Sequence, residues 1–373
     1  MCTGSRRGMT LIELLIAVGL ASILMLAVFR LLDTSLSLWS RGEVRRGALE
    51  QASATAELLS HDLRSLHRGA QGDLLAEWVP FDADRDGANE RFWPRLLLVR
   101  QGSPAEMARV ARAAEAGAES DVDADTEASG PDDASFKPRR PAGGLLEIAW
   151  VVLPSSEDPA EGVLWRAERA LDDPDSVSYF SQGYFDSMGR APVGVLNEVT
   201  GGVLWMGMAF ATQTSVVQEG WDIGLGLADA SGSWDGWCRA RPNPNIHAWN
   251  EAAAGMPEMA DVCLLPRRVR LELEIERPVD RARRTKTLSE LDATATSFQV
   301  ENAARLPADL NSFVLIDAEW MKLVGVTGDR VKVVRARRGS DPRPHGVGAL
   351  VHHGVRVISE IPVDLHDDSW DLR

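Results

Sequence analysis

The sequence is poor in cysteine, has fewer bases than acids and lacks the common catalytic motifs. Three cysteines in 373 residues cannot build a disulfide framework. The 40 Lys and Arg against 55 Asp and Glu give a formal net charge of -15, which argues against a broad basic surface for nucleic acid. No serine nucleophile elbow, zinc-protease motif or phosphate-binding glycine loop occurs. We therefore expect neither an enzyme nor direct nucleic-acid binding.

Hydrophobic residues make up 45% of the chain, and a long run of them lies near the N-terminus. The run from Met9 to Phe29 is long enough to cross a bilayer as a helix and holds one charge, Glu13. A secretory signal would have a shorter apolar core and a small-residue cleavage site. Arg6 and Arg7 precede the run and favour a cytoplasmic N-terminus. We predict a transmembrane helix over residues 9–30.

Glu13 is unusual, because a carboxylate in a membrane span costs about 2.5–3.5 kcal/mol on insertion scales. It either reaches the interface at the end of the span or has a function. The run Gly8-Met9-Thr10-Leu11-Ile12-Glu13 resembles the leader-cleavage motif of type IV prepilins and type II secretion pseudopilins. The family more often has Phe where Met9 stands.

The resemblance implies what happens to these residues. Residues 1–8 would be a leader, removed by a prepilin peptidase that cuts after Gly8 and methylates the amine of Met9. Glu13 is the fifth residue counted from Met9, as in the family. Its carboxylate would pair with the N-terminal amine of a neighbouring subunit and so guide assembly.

A stripe of apolar residues indicates that the helix continues beyond the membrane. The stripe, spaced by three and four residues, comprises Leu49, Ala52, Ala56, Leu59, Leu63 and Leu66. We predict a helix from Thr10 to about Arg68, roughly 90 Å long at 1.5 Å per residue. Residues 31–68 would be its amphipathic continuation. The segments Phe29–Asp33 and Leu58–Leu63 are most similar to J-type minor pseudopilins.

Residues 69–284 are predicted to form a pilin-like globular β domain, so the fold class is α+β with the long helix packed on an antiparallel sheet. The predicted strands are Arg95–Arg100, Leu145–Leu153, Val163–Arg169, Val203–Thr212 and Arg268–Glu276. The last alternates apolar and charged residues, as a half-exposed strand does. Residues from about 101 to 143 are Ala-rich and then acidic, which predicts a disordered surface insertion.

Residues 285–358 contain short strands separated by turns and are weakly similar to a small β-module of phage-tail-like structural proteins. Such a module could be inserted between the strands Arg268–Glu276 and Val355–Val363. Residues 359–373 are predicted to be a C-terminal tail.

The acidic loop from Asp82 to Glu90 is a candidate calcium site. A hard cation prefers oxygen ligands at such spacing, with a glycine for the tight turn. The alternative is an acidic surface turn. The candidate ligands are Asp82, Asp84, Asp86, the carbonyl of Ala88, and Glu90.

Cys238 and Cys263 lie near the end of a long loop, Gln213 to Leu264, that is rich in tryptophan. They form either a disulfide, which would stabilise the loop by roughly 3 kcal/mol, or two free buried thiols. The tryptophans either pack in the loop and against partners or form a ligand-stacking surface.

Together these observations predict a minor pseudopilin, a structural subunit at the tip of the periplasmic pseudopilus of a type II secretion system or initiating its assembly. The resemblance implies an inner-membrane anchor, a periplasmic head, and three partners: prepilin peptidase, other pseudopilins or pilins, and the inner-membrane assembly platform. One alternative is a minor pilin of a type IV pilus or DNA-uptake filament. Another is a membrane-tethered ligand- or glycan-binding protein.

Overall fold

The fold was analysed in a computed structural model. It describes residues 11–67, 74–81, 91–120, 144–158, 160–173, 176–181, 184–185, 196–211, 223–225, 234–235, 265–266, 268–277, 281, 284–307 and 309–363. The chain divides into two compact units, Met1–Leu49 and Glu50–Arg373.

A single helix, α1 (Leu11–Arg64), runs through 54 residues without a proline. After Arg64 the helix gives way to extended backbone, and Leu66 forms an antiparallel β-bridge with Arg100. The helix therefore ends four residues before the predicted Arg68. Leu49 was predicted to belong to the buried stripe, but it is 45% exposed. The other five members of the stripe are buried.

The second unit is built on a nine-stranded antiparallel sheet, which agrees with the α+β prediction. The strands run in the order β15-β8-β5-β4-β3-β2-β1-β7, with β6 paired to β5. Their bounds are β1 Leu74–Phe81, β2 Arg91–Gln101, β3 Leu145–Pro154, β4 Gly162–Ala170, β5 Asn197–Ala211, β6 Ile223–Leu225, β7 Trp234–Asp235, β8 Arg268–Ile275 and β15 Val355–Pro362. One face buries Ala52, Leu59 and Leu63 of α1 against leucines of the sheet such as Leu98 and Leu146.

A second helix, α2 (Pro104–Ser120), lies where the disordered insertion was predicted to begin. Ser103 and Glu106 form a capping box: the Ser103 hydroxyl accepts from the Glu106 amide at 3.3 Å, and the Glu106 carboxylate accepts from the Ser103 amide at 2.8 Å. Met107 and Val110 are buried in the core with α1. The prediction of disorder was therefore wrong for this helix, and residues 121–143 lie outside the described part.

Between β8 and β15 the chain forms a small second sheet in the order β10-β13-β12-β11-β14-β9. Its strands are β9 Thr285–Lys286, β10 Ser297–Gln299, β11 Phe313–Ile316, β12 Glu319–Thr327, β13 Arg330–Arg337 and β14 Leu350–His352. The sheet closes into a barrel, because Thr287 bridges Val300 and the Leu288 amide donates to the Gln299 carbonyl at 2.8 Å. Closure pairs the strands that would otherwise be edges, and the interior is packed with apolar side chains.

The barrel ends before the predicted boundary at 358, because β15 pairs with β8 along its whole length. Residues 359–362 are thus part of the large sheet rather than a tail. Gly354 marks the return, since a Cβ there would lie 2.7 Å from the carbonyl oxygen of Ile275. Only glycine allows the backbone to approach so closely.

Candidate functional site

The first part of α1 has the properties of a membrane anchor. Within the described residues, Leu14–Leu36 is the one helical segment long and apolar enough to cross a membrane, with a mean hydropathy of 2.5 and no buried share. Two of its hydroxyls bond within the helix, since the Ser22 hydroxyl donates to the Val18 carbonyl and the Thr34 hydroxyl to that of Arg30, both at 2.8 Å. Such bonds satisfy these two hydroxyls without water.

Glu13 lies in α1 directly before this segment, and its side chain is outside the described part. Glu13 therefore lies at the N-terminal border of this apolar segment, and the first two residues of the predicted span 9–30 are outside the described part. Gly8 and Met9 also lie outside the described residues.

The C-terminal part of α1 is fastened to the sheet by Asp62, which is fully buried. Its carboxylate lies 2.8 Å from Arg100 Nε and accepts from Arg166 Nε at 2.9 Å. The indole Nε1 of Trp150 donates to the same carboxylate at 2.9 Å. Hydrogen-bond donors from β3 and β4, and an ion pair with Arg100 of β2, therefore fix one helical residue.

The ion pairs continue from Asp62 to α2. Arg100 donates to Glu106 at 2.6 Å, and Arg166 donates to Glu168 at 2.7 Å. The hydrogen bond from Arg100, with those from Ser103, lowers the pKa of Glu106 to about 2 against the opposing effect of burial. Both helices are thus tied to the sheet by ionised groups as well as by apolar packing.

The barrel docks on the large sheet around one guanidinium, that of Arg338. It donates to Glu272 at 2.5 Å and lies 2.8 Å from Glu274, both on β8. Its Cζ stands 4.3 Å from the ring centre of Trp320 and 5.0 Å from that of Trp205. Arg338 of the barrel thus contacts two carboxylates of the large sheet and lies against one tryptophan from each sheet.

The same contact corrects the prediction that Arg268–Glu276 is half-exposed. Glu272, Glu274 and Glu276 are all buried, because the barrel covers the face that carries them. Burial alone would raise the pKa of Glu272, but the guanidinium groups of Arg338 and Arg356 outweigh it and hold the pKa below its usual value.

A second charged cluster at the docking contact has the residue types of a metal site. Asp158, Glu161 and His352 place ligand atoms within 4.8 Å of one another. The guanidinium of Arg284 already donates to Asp158 at 2.7 Å and to Glu161. The guanidinium of Arg284 thus occupies the position that a metal ion would take between these carboxylates. We therefore assign the cluster a structural role. Sequence spacing could not reveal it, because the residues come from distant segments.

Inside the barrel, the buried His345 is held between two carboxylates. Its Nδ1 lies 2.6 Å from Asp317 and its Nε2 lies 2.9 Å from Glu319. Burial lowers the pKa of His345, but these two bonds outweigh it, and the pKa is raised. Burial likewise opposes ionisation of Glu319, yet Arg335, His345 and backbone amides lower its pKa to about 2.

Comparison with known proteins gives one match. The family model described as the prokaryotic N-terminal methylation motif matches residues 4–29. The chain carries a prepilin-type N-terminus. The matched residues include Gly8, Met9 and Glu13, and they overlap the apolar start of α1. Searches of curated proteins and of solved structures found no match.

The motif supports a pilin-like protein with a single membrane-anchoring helix, and it implies processing by prepilin peptidase and assembly with other pilins. It covers the N-terminal segment only and does not distinguish secretion pseudopilins, J-type or other, from type IV pilins.

The remaining predicted sites lie outside the described residues. This applies to the calcium loop (Asp82, Asp84, Asp86, Ala88 and Glu90), to the pair Cys238 and Cys263, and to most of the tryptophan-rich loop. Of that loop, Trp234 is in β7, which pairs with β1. Calcium binding and the disulfide stay predictions.

Proposed function

We propose that the protein is a minor pseudopilin, a membrane-anchored structural subunit of a type II secretion pseudopilus. The observation that carries this proposal is the prepilin-type motif at the start of a 54-residue helix whose apolar segment is exposed. An exposed apolar helix needs lipid or neighbouring helices around it. A subunit of a filament assembled from the membrane is surrounded first by lipid and then, after assembly, by the helices of neighbouring subunits.

Processing is the first consequence to test. A prepilin peptidase would cut after Gly8 and methylate Met9, and mass spectrometry of the N-terminal peptide measures both changes. We expect Gly8→Val to remain uncut, while Gly42→Ala is cut normally. Gly42 is a suitable control because a Cβ there meets nothing within 4 Å. Normal cleavage of Gly8→Val would contradict the proposed processing.

Assembly is the second consequence. We expect Glu13→Ala to insert into the membrane but to be lost from filaments, because its carboxylate would no longer pair with a neighbour's N-terminal amine. Glu43→Ala removes an exposed acid of α1 beyond the apolar segment and serves as the control. Fractionation of membranes and sheared filaments measures both steps. Equal incorporation of the two variants would contradict the role of Glu13.

Deletion of the gene separates the secretion system from its alternatives. Loss of exoprotein secretion with intact surface pili supports a pseudopilin, and the reverse result supports a type IV pilus or DNA-uptake subunit. Binding of the protein to a glycan array, without co-purification of other pilin-like subunits, would support the ligand-binding alternative instead.

A further inference from the structure

The outer surface of the barrel carries three bases that form no ion pair with the residues the structure describes. Lys322 lies on β12, and Arg330 and Lys332 lie on β13. Alternate residues of β13, Val331 and Val333, are buried in the barrel, so Arg330 and Lys332 point outward. We name Lys322, Arg330 and Lys332 the basic face.

The cross-strand partners of the basic face are uncharged. Lys332 pairs with Ser297 on one side and Gly325 on the other. Arg330 pairs with Gln299 and Thr327. Within the described part of the chain, none of the three bases forms an ion pair. Other arginines of the barrel differ, since Arg335 and Arg338 are bonded to buried carboxylates.

A surface whose three bases form no ion pair among the described residues attracts an anionic partner. The acid next to Arg330 in the chain, Asp329, accepts from the Ala303 amide at 3.4 Å. The chain itself contains such a partner. Residues 115–133 contain eight acids, and no basic residue occurs between Ala113 and Phe136. The eight acids are Glu115, Glu119, Asp121, Asp123, Asp125, Glu127, Asp132 and Asp133.

We propose that residues 121–133, which carry six of these acids and are called the acidic segment below, bind the basic face of the same molecule. The segment is tethered, because α2 ends at Ser120 and the chain enters β3 at Leu145. Half of that connection spans about 40 Å when extended, at 3.3–3.6 Å per residue. A tether of this kind gives an effective concentration in the mM range, which exceeds that of a second copy in solution. The contact consists of exposed pairs and is therefore sensitive to salt.

The small number of lysines allows a direct test. The chain has four: Lys137, Lys286, Lys322 and Lys332. A carbodiimide joins a lysine to a carboxylate only where the two are in contact. Cross-linking the full chain in detergent, followed by mass spectrometry, therefore reports which lysines the acidic segment touches. Lys137 follows the segment in sequence and checks the reaction, while the exposed Lys286 is the control on the same barrel.

We expect cross-links from the acidic segment to Lys322 and Lys332 to be several-fold more abundant than those to Lys286, and to decrease in 1 M salt, where the Debye length is about 3 Å. Mixing isotope-labelled and unlabelled protein separates contacts within a molecule from contacts between copies. Equal yields at Lys286 and Lys332, absence of both beside a strong Lys137 product, or mainly mixed-isotope products would overturn the proposal.

Acetylation rates give a second measurement that does not need the carboxylates to react. In a variant with the six acids of residues 121–133 replaced by Ser or Gln, we expect Lys332 to be acetylated several-fold faster and Lys286 at an unchanged rate. Both positions are on the folded barrel, so general unfolding would accelerate both. An unchanged ratio of the two rates would refute the contact.

Discussion

Replacing Asp62 tests whether one buried carboxylate holds the long helix to the sheet. In Asp62→Ala the guanidinium of Arg100, which is 1% exposed, loses its partner at 2.8 Å. Arg166 and the indole of Trp150 each lose an acceptor at 2.9 Å. The site is too enclosed for water to replace the carboxylate freely.

The expected loss follows from these contacts. Removing one member of a buried ion pair costs about 3–5 kcal/mol. Arg100 keeps Glu106, and Arg166 keeps Glu168, so neither base is left without an acid. Alanine also has the higher helix propensity, by about 0.5 kcal/mol. We therefore expect the free energy of unfolding to fall by about 3 kcal/mol.

Urea unfolding of the full chain in detergent, followed by tryptophan fluorescence, measures this change. Glu57→Ala is the matched control, since Glu57 is an exposed acid of the same helix and should change the free energy by less than about 0.5 kcal/mol. A loss below about 1 kcal/mol for Asp62→Ala, or one equal to that of the control, would refute the reasoning.

Three further predictions concern the core, the docking contact and the barrel. Leu63→Ala should lower the free energy of unfolding by about 2–5 kcal/mol in the same urea assay, and the exposed Leu49→Ala by much less; equal losses would contradict the packing of α1. Arg338→Ala should leave the buried Glu274 without its ion pair and Glu272 with Arg356 alone, and so speed proteolysis between barrel and sheet, whereas unchanged proteolysis would argue against the docking role. The pKa of Glu319 is lowered, so its contribution to stability is complete above about pH 4.5 and lost as the pH falls towards 2. The pKa of His345 is raised, so its contribution is complete below about pH 6.5 and lost as the pH rises through the raised value. Thermal unfolding across pH should thus show greatest barrel stability between these limits, and a flat profile would contradict the two bonds.

The elements with strong local signals could be predicted from sequence. The spacing of the apolar stripe correctly predicted that four residues of α1 and Leu66, just after it, are buried in the core. Apolar runs in the sequence correctly predicted β2, β3, β4, β5 and β8. Helix α2 also had a local signal, the capping box Ser103 to Glu106. Its Ala-rich and acidic composition favoured disorder, although Met107 and Val110 are spaced to bury one side of a helix.

The docking contact could not be predicted, because it depends on residues far apart in the chain. The alternating acids of β8 are compatible with a solvent-exposed face and with a face covered by basic groups. The face is covered because Arg338, 66 positions from Glu272 in the sequence, donates to that carboxylate. Asp62 is similar, since its partner Arg166 is 104 positions away.

The placement of the barrel between neighbouring strands has a consequence for folding order. Ile275 pairs with Val355, so the chain leaves the large sheet and returns to it at one point. While the intervening residues are unfolded, joining these ends closes a long loop and costs entropy. The folded barrel holds its own ends, β9 and β14, side by side and removes most of that cost. We therefore expect β15 to be the last strand to join the sheet, and a destabilised barrel to slow that step selectively.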